Sequence, residues 1–531
     1  MPQEIQEILG NAFAAYGEKD FNACIYLASQ VIVVDRYNIN ALNMIALSSY
    51  MSGKYADAIR NIICVLSHDI NYHGAASNFC EIIRGSLISI KDNDNIKEKK
   101  EVIFACYDAI NFASLHSDTF NIELSFPILI KYMIAMGYSQ EAINLARLLF
   151  KINPSSQIAV LSTFVLVDLG ITDEECLKKS ANIGIRSIRK KEHSPYAFSS
   201  VLFWCYWKEK YKSMEFFLRA MEKTIDIKTI INSKQLHTWY MTKIDSGFYK
   251  NIVYKFNIDI QYQQKEYASH TDSKGVIFIS VDENYWKRFS KDLAQDLLLE
   301  GKVFSVHVCI MNPSQETQDL LTEWKKNYSR FGYSIVNIDD QSWISNNNKN
   351  VLYRTYYACN RFMMMNDILD AYQIPIISLD GDQIPIGDMD EFVERSLLEH
   401  DGDVAIHYGT RLGPGLEMVC DLAIFRPAPS THLLFSILSK YMGCFFSRGY
   451  AFWMLDQVSF YAVLKFLQIS GMAPRLSHIK LEHFPFDRYL FHPLDSVDKD
   501  AAIHAKRAAR AKKGGEQEAL LPARREHPLP I

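Results

Sequence analysis

The hydrophobic positions along the chain follow two different periods, one in each half. Up to about residue 225 the apolar residues recur three and four apart, which predicts an all-helical region. From residue 275 they form short β-branched runs separated by amphipathic stretches, which predicts an α/β domain with a mainly parallel sheet. The predicted strands are 275–281, 303–308, 333–336, 374–379, 404–406 and 422–425, and the predicted helices between them lie near 286–300, 315–330, 353–372 and 455–468.

The first half repeats itself with a shift of 34 residues. The shift pairs an aromatic residue with an aromatic residue, apolar with apolar and Asp with Asp: Tyr16 with Tyr50, Phe21 with Tyr55, Ile25 with Ile59, Val31 with Val65, Asp35 with Asp69 and Ala41 with Ala75. A third unit runs from Gly137 to Pro154, and a weaker one from Tyr211 to Met221. This period and pattern resemble tetratricopeptide repeats, whose stacked helical hairpins form concave docking surfaces. Packing on a neighbouring domain, or on a second copy of this chain, is the alternative role.

These patterns divide the chain into four segments. We expect a helical repeat domain over 1–225, a connecting segment over 226–273 and an α/β domain over 274–513. The end of the chain, 514–531, is polar and contains proline, and we expect it to be a disordered tail. A length of 531 residues suits two or three domains.

Composition and charge exclude several classes of protein. Lys and Arg number 57 against 61 Asp and Glu, so there is no positive excess to drive nucleic-acid binding. The ten cysteines show no Cys-x-x-Cys pair, which indicates buried reduced thiols. The acidic start of the chain does not resemble a secretory signal, and no apolar window is long enough to span a membrane. We therefore expect a cytoplasmic protein that is not integral to a membrane.

An Asp-Gly-Asp sequence at 380–382 follows directly on the apolar run that ends at Leu379. Two carboxylates on a loop that leaves a strand can bind a hard divalent cation, which keeps positions open for phosphate oxygens. A simple turn is the alternative, because Asp-Gly is also a turn signal. The same three letters recur at 401–403, but there they precede a strand, so we expect those carboxylates at the opposite edge of the sheet.

Together with its neighbours, this loop resembles the core of metal-dependent glycosyltransferases with the GT-A fold. The resemblance is carried by Tyr356 to Phe362, by Ile376 to Asp382, by Val281 to Tyr285 after the first strand, and by Leu455-Asp456-Gln457 at the start of a late helix. It covers about residues 275–513 and depends on the combination of motifs. It implies transfer of a sugar from a nucleotide-diphosphate donor, a UDP-sugar first of all, with Mn²⁺ or Mg²⁺ as cofactor.

The resemblance assigns the donor side of the site. It implies that Asp380, Asp382 and His504 hold the metal, which would neutralise the departing nucleoside diphosphate. The predicted donor-binding residues are Ser280, Asp282, Tyr285, Arg361 and Lys506. Arg361 could pair with the donor phosphates or orient an Asp of the metal loop, and its alternative role is a structural ion pair.

The third metal ligand has several candidates. His504 stands before Lys506 in a basic stretch that is similar to the closing His-x-Lys-Gly element of related enzymes, but the glycine of that element is missing here. The stretch could equally be a solvated basic helix. His478, His483 and His492 are rival ligands.

Asp456 and Gln457 are the predicted catalytic residues. In an inverting enzyme Asp456 would take the proton from the acceptor hydroxyl. In a retaining enzyme both residues would position the donor and steady its charge, and the resemblance leans slightly to this second case. The alternative role of Asp456 is to cap a helix that begins near Gln457.

The sequence thus predicts a glycosyltransferase that acts on a hydroxyl of a protein or a glycan, with the helical repeats recruiting the acceptor or a protein partner. A non-enzymatic scaffold with a degenerate transferase-like domain is the main rival, and a nucleotide-sugar hydrolase is the third hypothesis. Convergence of the two loop carboxylates, a histidine and Asp456 on one cleft would separate the enzyme from the scaffold. The sugar, the acceptor and the stereochemistry stay open.

Overall fold

A computed structural model describes most of the chain. The described residues are 3–72, 74–91, 95–115, 125–192, 194–233, 236–255, 258–342, 344, 349–408, 413–415, 418–479 and 489–491. The chain divides into two compact units, Met1–Glu192 and His193–Ile531. The predicted 514–531 tail lies outside the described residues.

The first unit is helical throughout its described part, as the spacing of its apolar residues predicts. Its helices are α1 (Gln3–Gly17), α2 (Phe21–Val34), α3 (Ile39–Met51), α4 (Tyr55–His68), α5 (Ala75–Ser89), α6 (Ile96–Ser114), α7 (Phe126–Ala135), α8 (Ser139–Ile152), α9 (Gln157–Asp168) and α10 (Glu174–Arg189). Helices α2 and α4 begin one period apart, at Phe21 and Tyr55.

The 34-residue shift relates side-chain contacts as well as helix starts. Tyr16 packs edge-on against Phe21 with ring centroids 5.7 Å apart, and Tyr50 packs in the same way against Tyr55 at 5.9 Å. The turn before each second helix also contains a left-handed residue, Lys19 in the first hairpin and Gly53 in the second. The repeat in the sequence therefore encodes a repeated helical hairpin.

The second unit begins with helices and continues into the α/β part. Its helices are α11 (Pro195–Trp207), α12 (Tyr211–Thr224), α13 (Ile227–Asn232), α14 (Leu236–Met241), α15 (Ser246–Lys255), α16 (Glu283–Tyr285), α17 (Lys291–Glu300), α18 (Gln315–Asn327), α19 (Lys349–Met363), α20 (Met365–Tyr372), α21 (Met389–Glu399), α22 (Pro429–Ser447) and α23 (Leu455–Ile469). A π-helical turn, Trp286–Ser290, joins α16 to α17. Helices α11 and α12, which the period alone places with the repeats, lie in this unit.

The strands form one large mixed sheet and one small pair. They are β1 (Tyr262–Glu266), β2 (Gly275–Asp282), β3 (Phe304–Met311), β4 (Phe331–Val336), β5 (Ile376–Leu379), β6 (Ile384–Pro385), β7 (Val404–Tyr408), β8 (Met418–Phe425), β9 (Leu476–Ile479) and β10 (Leu490–Phe491). The order in the large sheet is β1-β4-β3-β2-β5-β8-β7-β9, and β10 pairs with β6. All six predicted strands are present. The fold class, a helical region followed by an α/β domain, is as predicted.

The centre of the large sheet is parallel and its flanks are partly antiparallel. Strand β2 pairs in parallel with β3 on one side and with β5 on the other. Strand β8 runs antiparallel to both β5 and β7, and β1 runs antiparallel to β4. The chain leaves β2 towards one side for β3 and reaches β5 on the other side later. The carboxyl ends of β2 and β5 therefore form a topological switch point, where ligands of such sheets bind.

The cysteines are free thiols, as the absence of paired spacings predicts, but the prediction that they are buried is wrong for Cys64. Cys64 is exposed and Cys80 is partly buried, whereas the others are buried. Burial raises the pKa of Cys205 to about 11 and that of Cys309 to about 12. Among the described helices, none combines the length and the apolar character needed to cross a bilayer.

Candidate active site

A cleft of about 320 Å³ opens where β2 and β5 end. Eight of the ten predicted site residues line it, while His504 and Lys506 lie outside the described residues. The eight are Ser280, Asp282, Tyr285, Arg361, Asp380, Asp382, Asp456 and Gln457. Four separate parts of the sequence thus supply one cavity: the parallel strands β2 and β5 bring their carboxyl ends to the same edge, and helices α19 and α23 add Arg361, Asp456 and Gln457.

The end of β2 forms one wall of the cleft. Asp282 caps α16, since its Oδ1 accepts a hydrogen bond of 2.7 Å from the backbone N–H of Tyr285. Tyr285 leaves 46% of its surface exposed, so its ring is available at the cleft. Burial raises the pKa of the Tyr285 hydroxyl, and the charges of Asp382 and Asp380 add to the shift. The Tyr285 hydroxyl therefore stays protonated beside the carboxylates of Asp380 and Asp382.

The Asp-Gly-Asp loop is fixed by its backbone. The N–H of Asp380 donates to the carbonyl of Asp421 on β8 at 3.1 Å, which continues the β5–β8 pairing by one residue. Ser290 Oγ donates to the carbonyl of Gly381 at 2.6 Å. A Cβ atom at Gly381 would overlap with Val281 Cγ1 and come within 2.6 Å of Ser290 Oγ. The middle residue of the loop must therefore be glycine.

Arg361 connects the loop to helix α23. It lies on α19 and is 7% exposed; its Nη1 donates to Asp380 Oδ1, and its Nη2 lies 3.5 Å from Asp456 Oδ2. Burial by itself would lower the pKa of Arg361, but the two carboxylates outweigh it and hold the pKa above its ordinary value. The contact with Asp380 fits two of the roles considered for Arg361, orientation of a loop Asp and a structural ion pair, while pairing with donor phosphates stays a prediction.

Asp456 is a buried carboxylate in the first turn of α23. Its residue is 5% exposed, and burial raises its pKa above the ordinary 3.8, with Arg361 opposing the shift. The cap of α23 is Met454, so the alternative role of Asp456 as the helix cap is wrong. A buried carboxylate that lies beside a guanidinium and lines a cleft is a candidate for a functional group.

Gln457 supports the neighbouring loop. With its amide nitrogen turned to the backbone, Gln457 donates to the carbonyl of Gly415 and, at 3.3 Å, to that of Met418. Gly415 has a left-handed φ of 84°, and a Cβ there would come within 2.7 Å of Val458 Cγ2. These contacts connect α23 to the Gly413–Gly415 loop. Gln457 also lines the cleft.

The described residues fit a divalent cation only in part. Asp380 and Asp382 provide two carboxylates on one wall, which is the oxygen donor set that Mg²⁺ and Mn²⁺ prefer when phosphates and water supply the remaining ligands. Within the described ranges, no group of three or more His, Cys, Asp or Glu side chains could hold a metal. Besides His504, the rival ligands His483 and His492 also lie outside those ranges.

The remaining rival ligand and the second Asp-Gly-Asp sequence take other positions. His478, on β9, stacks on Tyr408 with ring centroids 4.0 Å apart, and it does not line the cleft. The second sequence ends at the start of β7, where Asp403 accepts hydrogen bonds from Arg475 Nη2 at 3.0 Å and Ser430 Oγ at 2.8 Å. Asp403 is thus a structural anchor away from the cleft, as its place before a strand predicts.

Sequence reasoning missed three residues of the cleft: Arg354, Trp453 and Met454. Arg354 precedes Arg361 by seven residues, which places both on one face of α19. Trp453 lies three residues before Asp456, and Met454 has a left-handed backbone with φ 72°. The heptad spacing of the two arginines was a usable signal, but nothing in the sequence marks Met454 as left-handed.

No protein-family model and no curated protein matches the sequence. Among solved structures, this chain is similar to the glycosyltransferase GlyE of Streptococcus pneumoniae TIGR4, with 13% identity and a TM-score of 0.27 over 41% of this chain and 48% of that one. It is also similar to mouse xyloside xylosyltransferase 1 in its apo form, with 9% identity and a TM-score of 0.27 over 39% and 86%. This chain thus spans about half the length of GlyE. At these identities and TM-scores neither similarity indicates what this chain acts on.

Proposed function

We propose that this chain is a metal-dependent glycosyltransferase, which moves a sugar from a nucleotide-diphosphate donor to a hydroxyl acceptor. The observation that supports it best is the arrangement around Arg361. One buried guanidinium contacts the loop carboxylate Asp380 and the helix carboxylate Asp456, and all three line the cleft at the switch point of the sheet. A scaffold has no need of buried charges that converge on an open cleft, because burying charge costs free energy.

Each residue has a chemical task in this proposal. The strand end at Ser280 and Asp282, with Tyr285, binds the nucleoside. Asp380 and Asp382 would hold Mn²⁺ or Mg²⁺, which, when bound, supplies a Lewis acid for the departing diphosphate. Arg361 fixes the positions of Asp380 and Asp456 relative to each other. Asp456 faces the reacting sugar, where it accepts the acceptor proton or steadies positive charge on the donor.

The donor site can be tested by thermal unfolding of the full chain with nucleoside diphosphates, UDP first, with and without Mn²⁺. A ligand at 100 times its Kd stabilises the folded state by about 2.7 kcal/mol, a shift of several degrees. We expect a shift that requires the metal and disappears in the Asp380→Ala/Asp382→Ala variant.

The second Asp-Gly-Asp sequence offers a matched control. Asp401 is exposed and does not line the cleft, so Asp401→Ala should keep the full shift. A folded wild type that responds to no nucleotide would overturn the proposal and favour the scaffold. A shift that persists in the double variant would remove the metal loop from the donor site.

A further inference from the structure

Trp453 is an exposed tryptophan at the mouth of the cleft. Half of its surface, 50%, is accessible, whereas Trp239, Trp286 and Trp324 are buried. A single exposed apolar side chain is common on protein surfaces, so what distinguishes Trp453 is its place in the lining of the cleft and the contacts that fix it there. The indole combines a flat apolar face with an N–H group at its edge, so it suits a ligand that has both apolar and polar surfaces.

A strained turn holds Trp453 in this position. The N–H of Leu455 donates to the carbonyl of Phe452 at 3.1 Å, and Met454 adopts φ 72° and ψ 12°. These values are those of the third residue of a type II turn, a place where glycine is preferred. The turn puts Trp453 at its corner. A non-glycine residue persists in such a conformation only where the surroundings enforce it, often at functional sites.

The turn also fixes the distance between Trp453 and the buried carboxylate. The N–H of Val458 donates to the carbonyl of Met454 at 3.0 Å, which makes the turn continuous with the first turn of α23. Asp456 lies in that first turn, three residues after Trp453. A ligand that lies on the indole is therefore held beside the residue that we place at the reacting centre.

Arg354 lies over the indole. Its guanidinium carbon is 4.5 Å from the centre of the Trp453 ring, which is a cation–π contact. Arg354 is exposed, and within the described residues it forms no ion pair with a carboxylate. Its planar fork presents N–H donors at the cleft mouth, over one face of the indole. We treat Arg354 as a positioning residue that holds the ring of Trp453.

Because Arg354 covers one face of the indole, a ligand would use the other face, and a flat apolar face close to guanidinium N–H donors matches a sugar ring. One side of a pyranose presents C–H groups that pack on an indole, and its rim presents hydroxyls that accept hydrogen bonds from a guanidinium. A lipid chain would need a continuous apolar groove, but Arg354 and Asp282 interrupt the aromatic residues of this cleft. An unmodified serine or threonine acceptor has no ring to place on Trp453.

We propose that Trp453, held by Arg354, forms the acceptor subsite and that this subsite takes a sugar ring. The acceptor is then a glycan or a glycoside and not an unmodified polypeptide. The inference rests on the proposed function, because it assigns the second substrate of the same reaction. The proposed donor side is the part of the same cleft at Tyr285 and the β2 end.

The experiment compares donor binding and acceptor use in the same variants of the full chain. Donor binding is the thermal shift with UDP and Mn²⁺, or with whichever nucleoside diphosphate stabilises the wild type. Acceptor use is transfer of radiolabelled sugar from the matching nucleotide sugars to two panels. One panel contains methyl glycosides of hexoses, hexosamines, pentoses and uronic acids, and the other contains serine and threonine peptides.

We expect transfer to at least one glycoside and none to the peptides. Trp453→Ala should keep the donor shift and raise the KM for the glycoside about tenfold, while kcat changes little, because stacking is lost and the reacting groups remain. Trp453→Phe should recover most of this loss. Arg354→Gln should raise the same KM, and Arg354→Lys should restore part of it. Phe216→Ala, which removes an aromatic residue that is 66% exposed outside the cleft, should change nothing.

The contrary outcomes separate the two proposals. If the wild type binds the nucleotide but uses only peptides, or uses no panel member, the sugar subsite is wrong and the donor site stands. The same holds if Trp453→Ala leaves the KM for the glycoside unchanged. If no nucleotide stabilises the wild type and no transfer occurs, the proposed function fails, and the subsite fails with it.

Discussion

Gly381 shows how one atom constrains the Asp-Gly-Asp loop. A methyl group there would overlap with Val281 Cγ1, on the strand beside the loop. We expect Gly381→Ala to lower the free energy of unfolding by about 1–3 kcal/mol, as overpacking does, and to abolish the nucleotide-dependent thermal shift. Urea unfolding and the thermal shift measure the two effects.

A second substitution tests the cause. Val281→Ala removes the nearest methyl groups, so the double variant Val281→Ala/Gly381→Ala should regain part of the stability that Gly381→Ala loses. If the stability losses of Val281→Ala and Gly381→Ala simply add in the double variant, the overlap with Val281 is not the reason that this position is glycine.

The positive charge of Arg361 offsets part of the free-energy cost of burying the Asp456 carboxylate. Removing one partner of a buried ion pair costs about 3–5 kcal/mol, so Arg361→Gln should be strongly destabilised at pH 7.5. The pKa of Asp456 is already raised by burial, which means that the folded state binds this proton more tightly than the unfolded chain. As the pH falls towards that raised pKa, Asp456 becomes neutral, and the deficit of the variant should shrink.

Urea unfolding at pH 7.5 and at pH 5 measures this change. Arg354→Gln is the matched control, because Arg354 lies on the same helix but is exposed and has no carboxylate partner within the described residues. It should stay within about 0.5 kcal/mol of the wild type at both pH values. An Arg361→Gln deficit of equal size at both pH values would contradict a charged Asp456.

At the scale of elements, a buried histidine joins two strands and a helix. His307 of β3 lies 2.8 Å from Tyr372 Oη, at the end of α20, and 2.9 Å from Ser334 Oγ of β4. Burial, with a contribution from Lys325, lowers the pKa of His307 from 6.5 to about 3. Between these pH values the unfolded chain holds a proton that the folded chain excludes.

The α/β unit should therefore lose stability as the pH falls below 6.5. From the linkage relation the loss from His307 is about 2 kcal/mol at pH 5. His307→Gln does not titrate, so its free energy of unfolding should fall less between pH 7.5 and pH 5. Equal slopes for His307→Gln and the wild type would exclude this histidine as the cause.

The sequence predicts elements well where burial creates a strong pattern. The strands on both sides of the switch point are buried on both faces and read as apolar runs, so β2, β3 and β5 were predicted. Strand β1 was missed because its sequence, Tyr-Gln-Gln-Lys-Glu, is polar at an exposed edge of the sheet. The turn at Met454 was missed because its geometry normally requires glycine, so only coordinates show it.

The candidate site was predictable for a related reason. Carboxylates that follow a strand can be recognised in the sequence. The topology of the sheet then places this loop, at the end of β5, beside the end of β2. The spacing of apolar residues does not indicate which contacts exposed residues make. Arg354 and Trp453 were therefore not predicted as residues of the cleft. The period likewise does not say which unit a helix packs against, as α11 and α12 show.

At the scale of the whole molecule, the position of the boundary between the units can be tested. The sequence places it near 225, whereas the second unit begins at 193. Within that unit α11 contacts later helices: Phe203 packs on Trp239 at 5.1 Å between ring centroids, and Tyr206 packs on Tyr461 of α23 at 5.0 Å. A chain that begins at Ser194 keeps these contacts, and one that begins at Asp226 loses them.

We expect the chain from Ser194 to fold and to keep the nucleotide-dependent thermal shift, because every residue that lines the cleft lies within it. The chain from Asp226 exposes the buried aromatic surface of Trp239 and Tyr461, and its melting temperature should fall by about 10 °C or more. Circular dichroism during heating measures both. Equal melting temperatures would show that α11 and α12 are dispensable to the unit.

The distribution of exposed and buried thiols allows the native chain to be labelled at a chosen cysteine. Thiolates react with maleimides, and burial keeps most of the described cysteines both protonated and out of reach, whereas Cys64 of α4 is exposed. Brief labelling at neutral pH should attach one dye, at Cys64, and peptide mass spectrometry would locate it. Cys64→Ser should stay unlabelled over the same time, and a dye on Cys309 or Cys359 would contradict the packing around the cleft. A fluorophore on Cys64 would then lie on α4 and report on changes in the surroundings of that helix.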